Sequence, residues 1–400
     1  MTLPPPIPLE EAQDRLLAMV EPLGSETSPV THAAGRYLGS PLPARRTQPA
    51  ADLSAMDGYA VREADATGPW TVVGESAAGH PFVRELDAGE AVRISTGALM
   101  PPGAGAVLLQ EDAQRDGDRL EALNGSPTSR HIRRTGFDFG AGEVMLPAGT
   151  RIGPPQIALA LAGGHANVAV GRRPAIAILD SGDELAADPA DCAPHQIPAS
   201  NGAMLAAMAA PLASRVTRIG PVPDRMEALL AALEQAERHD VLVTSGGASV
   251  GDHDLVRPAL EQWGAAISFW RVAIRPGKPL MVAQRGGQIV LGLPGNPVSS
   301  YVTAFLFLLP LLRALGGAAH ALPSAVEFRL SGPLPASGSR LELLRARHTE
   351  GQVAPIAEQD SSALVALASS NALIRREIGA PAAAVGDVVP AYLLSDSGDA

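Results

Sequence analysis

The sequence predicts a multidomain protein of class α/β plus β, and three observations carry that prediction. A chain of 400 residues is too long for one hydrophobic core, so about two to four domains are expected. Its texture changes twice. Short β-like runs between Gly, Pro and Asp turns fill 45–123, strand and helix patterns alternate from Pro174, and strands and turns return from Leu322. In the middle part the strands and helices alternate at the length of βαβ units, which implies a parallel sheet covered on both faces.

Each element follows from local pattern. Leu9, Ala12, Leu16, Leu17 and Val20 recur at helical spacing and give an early amphipathic helix. Trp70-Thr71-Val72-Val73, Ala91-Val92-Arg93-Ile94 and Ala106-Val107-Leu108-Leu109 read as short strands. A β-like patch over 143–152 leads into a helix around 156–161. Residues 175–179 form an apolar strand, and Ser200 is placed to cap a helix through Met204 and Met208. After a strand at 216–219, Asp224 and Glu227 fit a capping-box spacing ahead of Met226, Leu229, Leu230 and Leu233. Val241-Leu242-Val243 is the next strand, followed by a glycine loop and a helix beyond His253. Strands near 267–274, 280–283 and 289–291 precede a long apolar helix over 298–315. The tail from Leu322 reads as a small β domain.

Composition removes several function classes. A net charge of −11 and the absence of a Lys/Arg cluster argue against nucleic acid as a partner. The one cysteine, Cys192, permits neither a disulfide framework nor a Cys-based zinc site within the chain. The start, Met1-Thr2-Leu3-Pro4-Pro5-Pro6, lacks the basic and apolar regions of a signal peptide. The most apolar stretch, 301–312, is read as too short to span a bilayer. No membrane partner and a cytoplasmic location are therefore expected.

The chemistry is expected at the carboxyl ends of the parallel strands, where open α/β sheets bind ligands. Unusual loops gather there: Ser181-Gly182-Asp183-Glu184, Ser245-Gly246-Gly247 with Ser249, Arg275-Pro276-Gly277-Lys278-Pro279, and Pro294-Gly295-Asn296-Pro297. Glycines let backbone N–H groups approach an anion, hydroxyls bond phosphate oxygens, and Arg275 and Lys278 add positive charge. Glu184, Asp252 and Asp254 would repel that anion unless a hard divalent cation lay between them. Mg²⁺ is the expected cofactor, with these three carboxylates as its candidate ligands. Taken singly, each loop has a blander reading. Asp183 also fits a helix cap, Gly246-Gly247 a plain turn, Asp252 and Asp254 caps of the next helix, and Lys278 an exposed hairpin. The functional reading rests on the four loops occurring together.

In this order the loops, with Ser54-Ala55-Met56-Asp57-Gly58-Tyr59-Ala60-Val61, Ile94-Ser95-Thr96-Gly97-Ala98, Gly136-Phe137-Asp138 and Gly142-Glu143, resemble the molybdopterin molybdenumtransferases, the bacterial MoeA proteins and the E domain of gephyrin. The resemblance runs from about Leu9 to Leu394. It implies a linker domain from 1–42 and 139–173, an inserted β domain at 43–138, a parallel α/β three-layer domain at 174–320 and a C-terminal β-barrel domain at 321–400. It also implies insertion of molybdenum into adenylylated molybdopterin with Mg²⁺-dependent release of AMP, the final step of molybdenum cofactor synthesis. By position, Asp57, Thr96, Asp138, Glu184, Asp254 and Lys278 match catalytic positions of the family. Asp224 and Arg345 match further site positions, Arg345 among the substrate-binding ones together with Arg275, Pro294 and Pro297. The implied partners are molybdate, a second copy of the chain sharing the active site, the molybdopterin-adenylylating enzyme and recipient molybdoenzymes. The chain departs from the family where Asp180-Ser181 replaces Ser-Thr, where Arg275 replaces a frequent lysine, and where Gln359-Asp360-Ser361-Ser362 replaces a glycine-richer motif.

Overall fold

A computed structural model describes residues 5–65, 67–246 and 255–394. Its central layer is a six-stranded sheet in the order Arg215–Val222, Ala175–Ser181, Val241–Ser245, Gln288–Leu293, Met281–Arg285 and Ala266–Trp270. Alternation along the strands builds two cores. Ile176, Ile178, Val241, Val243, Ile289 and Leu291 face the helices Asn201–Ala209 and Pro297–Leu315. Ala177, Leu179, Leu242 and Val290 face Met226–Gln235 and Val256–Gln262. Side chains with a period of two, covered on both sides, make the three layers.

The sheet differs from expectation in one strand. Met281–Arg285 runs antiparallel to both neighbours. Its connection to Gln288–Leu293 is Gly286-Gly287 alone, with Gly286 at φ 57°, and a two-residue glycine turn makes a hairpin, not a crossover.

The long apolar helix also corrects an expectation. Pro297–Leu315 spans 19 residues with mean hydropathy 1.7, so by length and composition it is long enough to cross a membrane. Of its most apolar window, 78 % is buried inside the protein. It is not one regular helix. Ala304–Leu308 is a π turn, followed directly by Leu309-Pro310. Pro310 has no N–H to offer the carbonyl one turn before it, that of Leu306. Gln13 Nε2 donates to that oxygen at 2.9 Å. Gln13 belongs to the helix Leu9–Ala18, whose Leu9, Ala12 and Leu16 lie in the α/β core. This helix, expected in the linker domain, therefore packs on the α/β layer.

The linker is a ribbon in which Ser25–Pro29 pairs with Asn167–Gly171 and Leu42–Pro43 with Val144–Leu146, around Val30, Leu38, Ile152 and Val168. The β-like patch at 143–152 yields only the strand Val144–Leu146. The inserted β sheet has the order Ala106–Leu109, Gly58–Val61, Glu90–Ile94, Trp70–Ser76, Arg119–Ala122 and Ala113–Asp116, over a core of Tyr59, Val61, Trp70, Leu108 and Leu120. At the C-terminal end, Val326–Leu330, Leu341–Thr349, Gln352–Pro355, Ala372–Arg376 and Val388–Leu393 pair in a ring and close a barrel. The short strand Ile274–Arg275 leaves the α/β region and pairs in parallel with Leu341 and Glu342 of this barrel.

Candidate active site

The parallel strands end in register. Asp180 lies opposite Ser245, and Ser245 opposite Leu293, so their loops emerge side by side. Gly246 holds φ 94°, and its N–H donates to Leu293 O at 3.2 Å. A Cβ added at Gly246 would lie 3.0 Å from Ser181 O, and one at Gly295 3.7 Å from Gly246 Cα. Three of the four expected ligand loops thus touch through their glycines. Ser181 and Ser245 are buried, while Asp183, Glu184, Gly295 and Asn296 are exposed at the rim.

The acidic side of this rim is shaped by the loop after Ala175–Ser181. Gly182 N–H donates to Val222 O at 3.1 Å, and the Glu184 carboxylate folds back over Gly182, 2.5 Å from where a Cβ would be. Asp183 Oδ1 accepts the Asp224 N–H at 3.1 Å. Asp224 is therefore no helix cap, and the capping box with Glu227 does not form; the N-cap of Met226–Gln235 is Arg225, without a side-chain bond. Partial burial, then the charges of Asp183 and Glu184, hold the Asp224 carboxyl above its ordinary value. Among the described residues, no salt bridge neutralises these three acids.

The basic side is Arg275 and Lys278. Gly277, at φ 107°, packs its backbone against the long helix, where a Cβ would lie 2.6 Å from Thr303 Cγ2. That contact fixes the loop carrying Lys278, which is half-buried. Arg275, expected to add positive charge at the anion site, meets Glu342 Oε1 of the barrel through its Nη1 at 3.3 Å, and its side chain keeps 63 % exposure.

Arg345, which the resemblance puts among the substrate-binding positions, lies inside the barrel. It is 1 % exposed, and its guanidinium donates to Asp360 O at 3.0 Å and Glu358 O at 2.8 Å. Gln359 bonds the Arg345 backbone in both directions. Together they hold the 358–361 segment, from which Ser361 O accepts the Val298 N–H and Ser361 Oγ accepts from Asn296 Nδ2. Part of the N-terminal turn of the long helix is thus satisfied by the barrel. Among the described residues, Arg345 reaches the ligand loops only through this segment.

Asp57 and Thr96 come together in the inserted sheet. Asp57 Oδ1 accepts the Thr96 N–H at 2.7 Å, and that bond, with Arg93 nearby, keeps the exposed Asp57 carboxyl below its ordinary value. Asp138 is exposed beside Phe137, its N–H donating to Gln48 O, and no hydrogen bond among the described residues joins it to Asp57 or either of them to Glu184. Gly247, Ser249, Asp252 and Asp254 lie outside the described residues. Sequence reasoning missed Asn201, Gly202 and Arg218 near the site. A glycine in a first helical turn, unfavourable by propensity, was the signal available for Gly202.

Comparison with known proteins places this geometry. Residues 7–164 match a family model described as the MoeA N-terminal region (domain I and II). Residues 177–314 match one described as a "probable molybdopterin binding domain", and 327–394 the MoeA C-terminal region (domain IV). The chain is 33 % identical over 387 residues to the molybdopterin molybdenumtransferase of Bacillus subtilis, covering 92 % of this chain and 90 % of that one. It is 38 % identical over 320 residues to the enzyme of that name from Nostoc, covering 77 % and 73 %. The solved molybdopterin biosynthesis MoeA protein of Pyrococcus horikoshii superposes with TM-score 0.85 at 27 % identity, covering 97 % of this chain and all of that one.

Proposed function

The chain belongs to the family of molybdopterin molybdenumtransferases, enzymes of molybdenum cofactor biosynthesis, and from that premise we propose that it inserts molybdenum into adenylylated molybdopterin and releases AMP in a Mg²⁺-dependent step. The observation that carries this reading is the convergence of the 181–184, 246 and 294–297 loops at the strand ends, inside the span matching a molybdopterin-binding domain. Molybdate is the second substrate.

The donor set fits a hard cation. Glu184, Asp183 and Asp224 offer carboxylate oxygens, and partial burial, with the charges of the other two, already raises Asp224. Among the described residues no group of three metal-binding side chains is placed to hold an ion by itself. Mg²⁺ at Glu184 would thus be shared with ligand phosphate oxygens, as Mg²⁺ commonly is, with Asp252 and Asp254 as further candidates. When bound, it supplies charge neutralisation and polarisation at the pyrophosphate. Lys278, fixed by Gly277, offsets negative charge on phosphate or molybdate. The hydroxyls of buried Ser181 and Ser245 orient the anion, and the Asp57–Thr96 pair orients the dithiolene end or molybdate. The reading places the enzyme in the cytoplasm as a homodimer, receiving substrate from the adenylylating enzyme and passing product to molybdoenzymes.

The test is AMP release from adenylylated molybdopterin by the purified protein. Release is expected to require both molybdate and Mg²⁺. Release that continues unchanged in excess chelator, or without molybdate, overturns the reading.

A further inference from the structure

Asp180 is 3 % exposed near the carboxyl end of Ala175–Ser181, and the chemistry above does not use it. Two glycines make room for it. A Cβ on Gly202 would lie 2.0 Å from Asp180 Oδ2, and one on Gly220 2.4 Å from Asp180 O. Gly202 is in the first turn of the helix Asn201–Ala209. Ser200, at its N-cap, makes no side-chain bond, so the expected serine cap does not form. The Asp180 carboxylate stands there instead, packed against the Gly202 backbone at the positive end of the helix.

The first residue of that helix reaches the ligand loops. Asn201 Nδ2 donates to Gly295 O at 2.7 Å. Gly295 packs on Gly246, and Gly246 on Ser181, the residue next to Asp180. The path from carboxylate to helix to loop therefore closes on itself. We propose that Asp180 and Asn201 are positioning residues that fix the Gly295-Asn296-Pro297 loop against Gly246 and Ser181, and so set the gap that receives the substrate's anionic group; this rests on the function proposed above.

The charge on Asp180 is part of the device. Arg218 faces it from Arg215–Val222, with Nη2 3.9 Å from Oδ2. The helix Asn201–Ala209 carries no charged residue, Val241–Ser245 presents Ser245, and the nearby loop acids Asp183, Glu184 and Asp224 are exposed. Burial outweighs Arg218 and the nearby Gly202 backbone and pushes the carboxyl up to about 6. Asp180 thus takes up a proton in mildly acid solution, and the helix end then loses its counter-charge.

Three variants test this: Asp180→Asn, Asn201→Ala and the pair. Amide hydrogen exchange without ligand reads residues 201–204, 296 and 298, independently of the reaction. In each single variant, exchange at 296 and 298 is expected to rise roughly five- to tenfold, the value of about one hydrogen bond. The KM for adenylylated molybdopterin should rise by a similar factor while kcat stays within about twofold, since a loop held ready for binding acts on uniform binding. The pair should be no worse than the worse single variant. In the parent, KM should climb as pH falls from 7 to 5.5, and in Asp180→Asn it should not. Unchanged exchange at 296 and 298, or additive effects in the pair, overturns the proposal. A parent that does not turn over the adenylylated substrate refutes the proposed function alone, because exchange still decides the positioning role.

Discussion

Asp57 and Asp180 are both aspartates beside strand ends, and their surroundings drive them in opposite directions. A backbone N–H from Thr96 at an open surface favours the Asp57 carboxylate, whereas burial disfavours that of Asp180. The folded Asp180 value, about 6, lies above the unfolded value of roughly 3.9, so between those pH values the folded protein holds the extra proton. Its contribution to stability is complete below about pH 4 and is lost as pH rises through 6, by up to about 3 kcal/mol. Asp180→Asn should therefore gain stability on the parent as pH rises from 4 to 7 in chemical denaturation, and parallel curves would refute the assignment. Glu184→Gln and Lys278→Ala act on ligand charge and should lower turnover roughly 10²–10³-fold with melting temperatures unchanged; an active variant removes its residue from the site. Acids and glycines next to one another in a loop are legible in sequence. Whether Arg345 meets a ligand or its own backbone depends on burial, which no local pattern reports.

At the scale of elements, the pairing of Gln13 with the Leu306 carbonyl makes the first helix part of the α/β core. Gln13→Leu preserves size but leaves a buried acceptor without a partner, which should cost about 1–3 kcal/mol in denaturant unfolding. A loss of only a few tenths would show that the π turn satisfies itself. Amphipathic spacing announced the helix Leu9–Ala18, but its docking partner lies almost three hundred residues away, beyond any periodicity. The long helix was legible as apolar and buried, and Pro310 marked where its ladder fails. Gly286-Gly287 also carried the hairpin that turns one strand of the sheet around. That strand was misread because the surrounding βαβ rhythm outweighed a two-residue cue.

Across the whole molecule, candidate site residues are divided between distant parts of the chain. The Asp57–Thr96 pair belongs to the inserted sheet and Glu184 to the α/β strand ends, and no hydrogen bond among the described residues joins them. In a two-fold dimer, each site would take Asp57 from one subunit and Glu184 from the other. Asp57→Ala and Glu184→Ala homodimers should each be nearly inactive. Mixed and allowed to exchange, they should recover about a quarter of the parent AMP release, because half the dimers then hold one intact site. Exchange without recovery places both residues in the same subunit's site. The barrel has a different relation to the rest. Its strand Leu341–Thr349 takes Ile274–Arg275 as a neighbour, and its 358–361 segment holds the start of the long helix. In evolutionary terms, these contacts tie the barrel's exchange to that of its neighbours. Recombination that replaced it would have to supply a matching strand edge and a matching carbonyl at once. The exposed hairpin tip at Gly286-Gly287 carries neither constraint, and there new sequence can be spliced in while the ligand loops stay anchored.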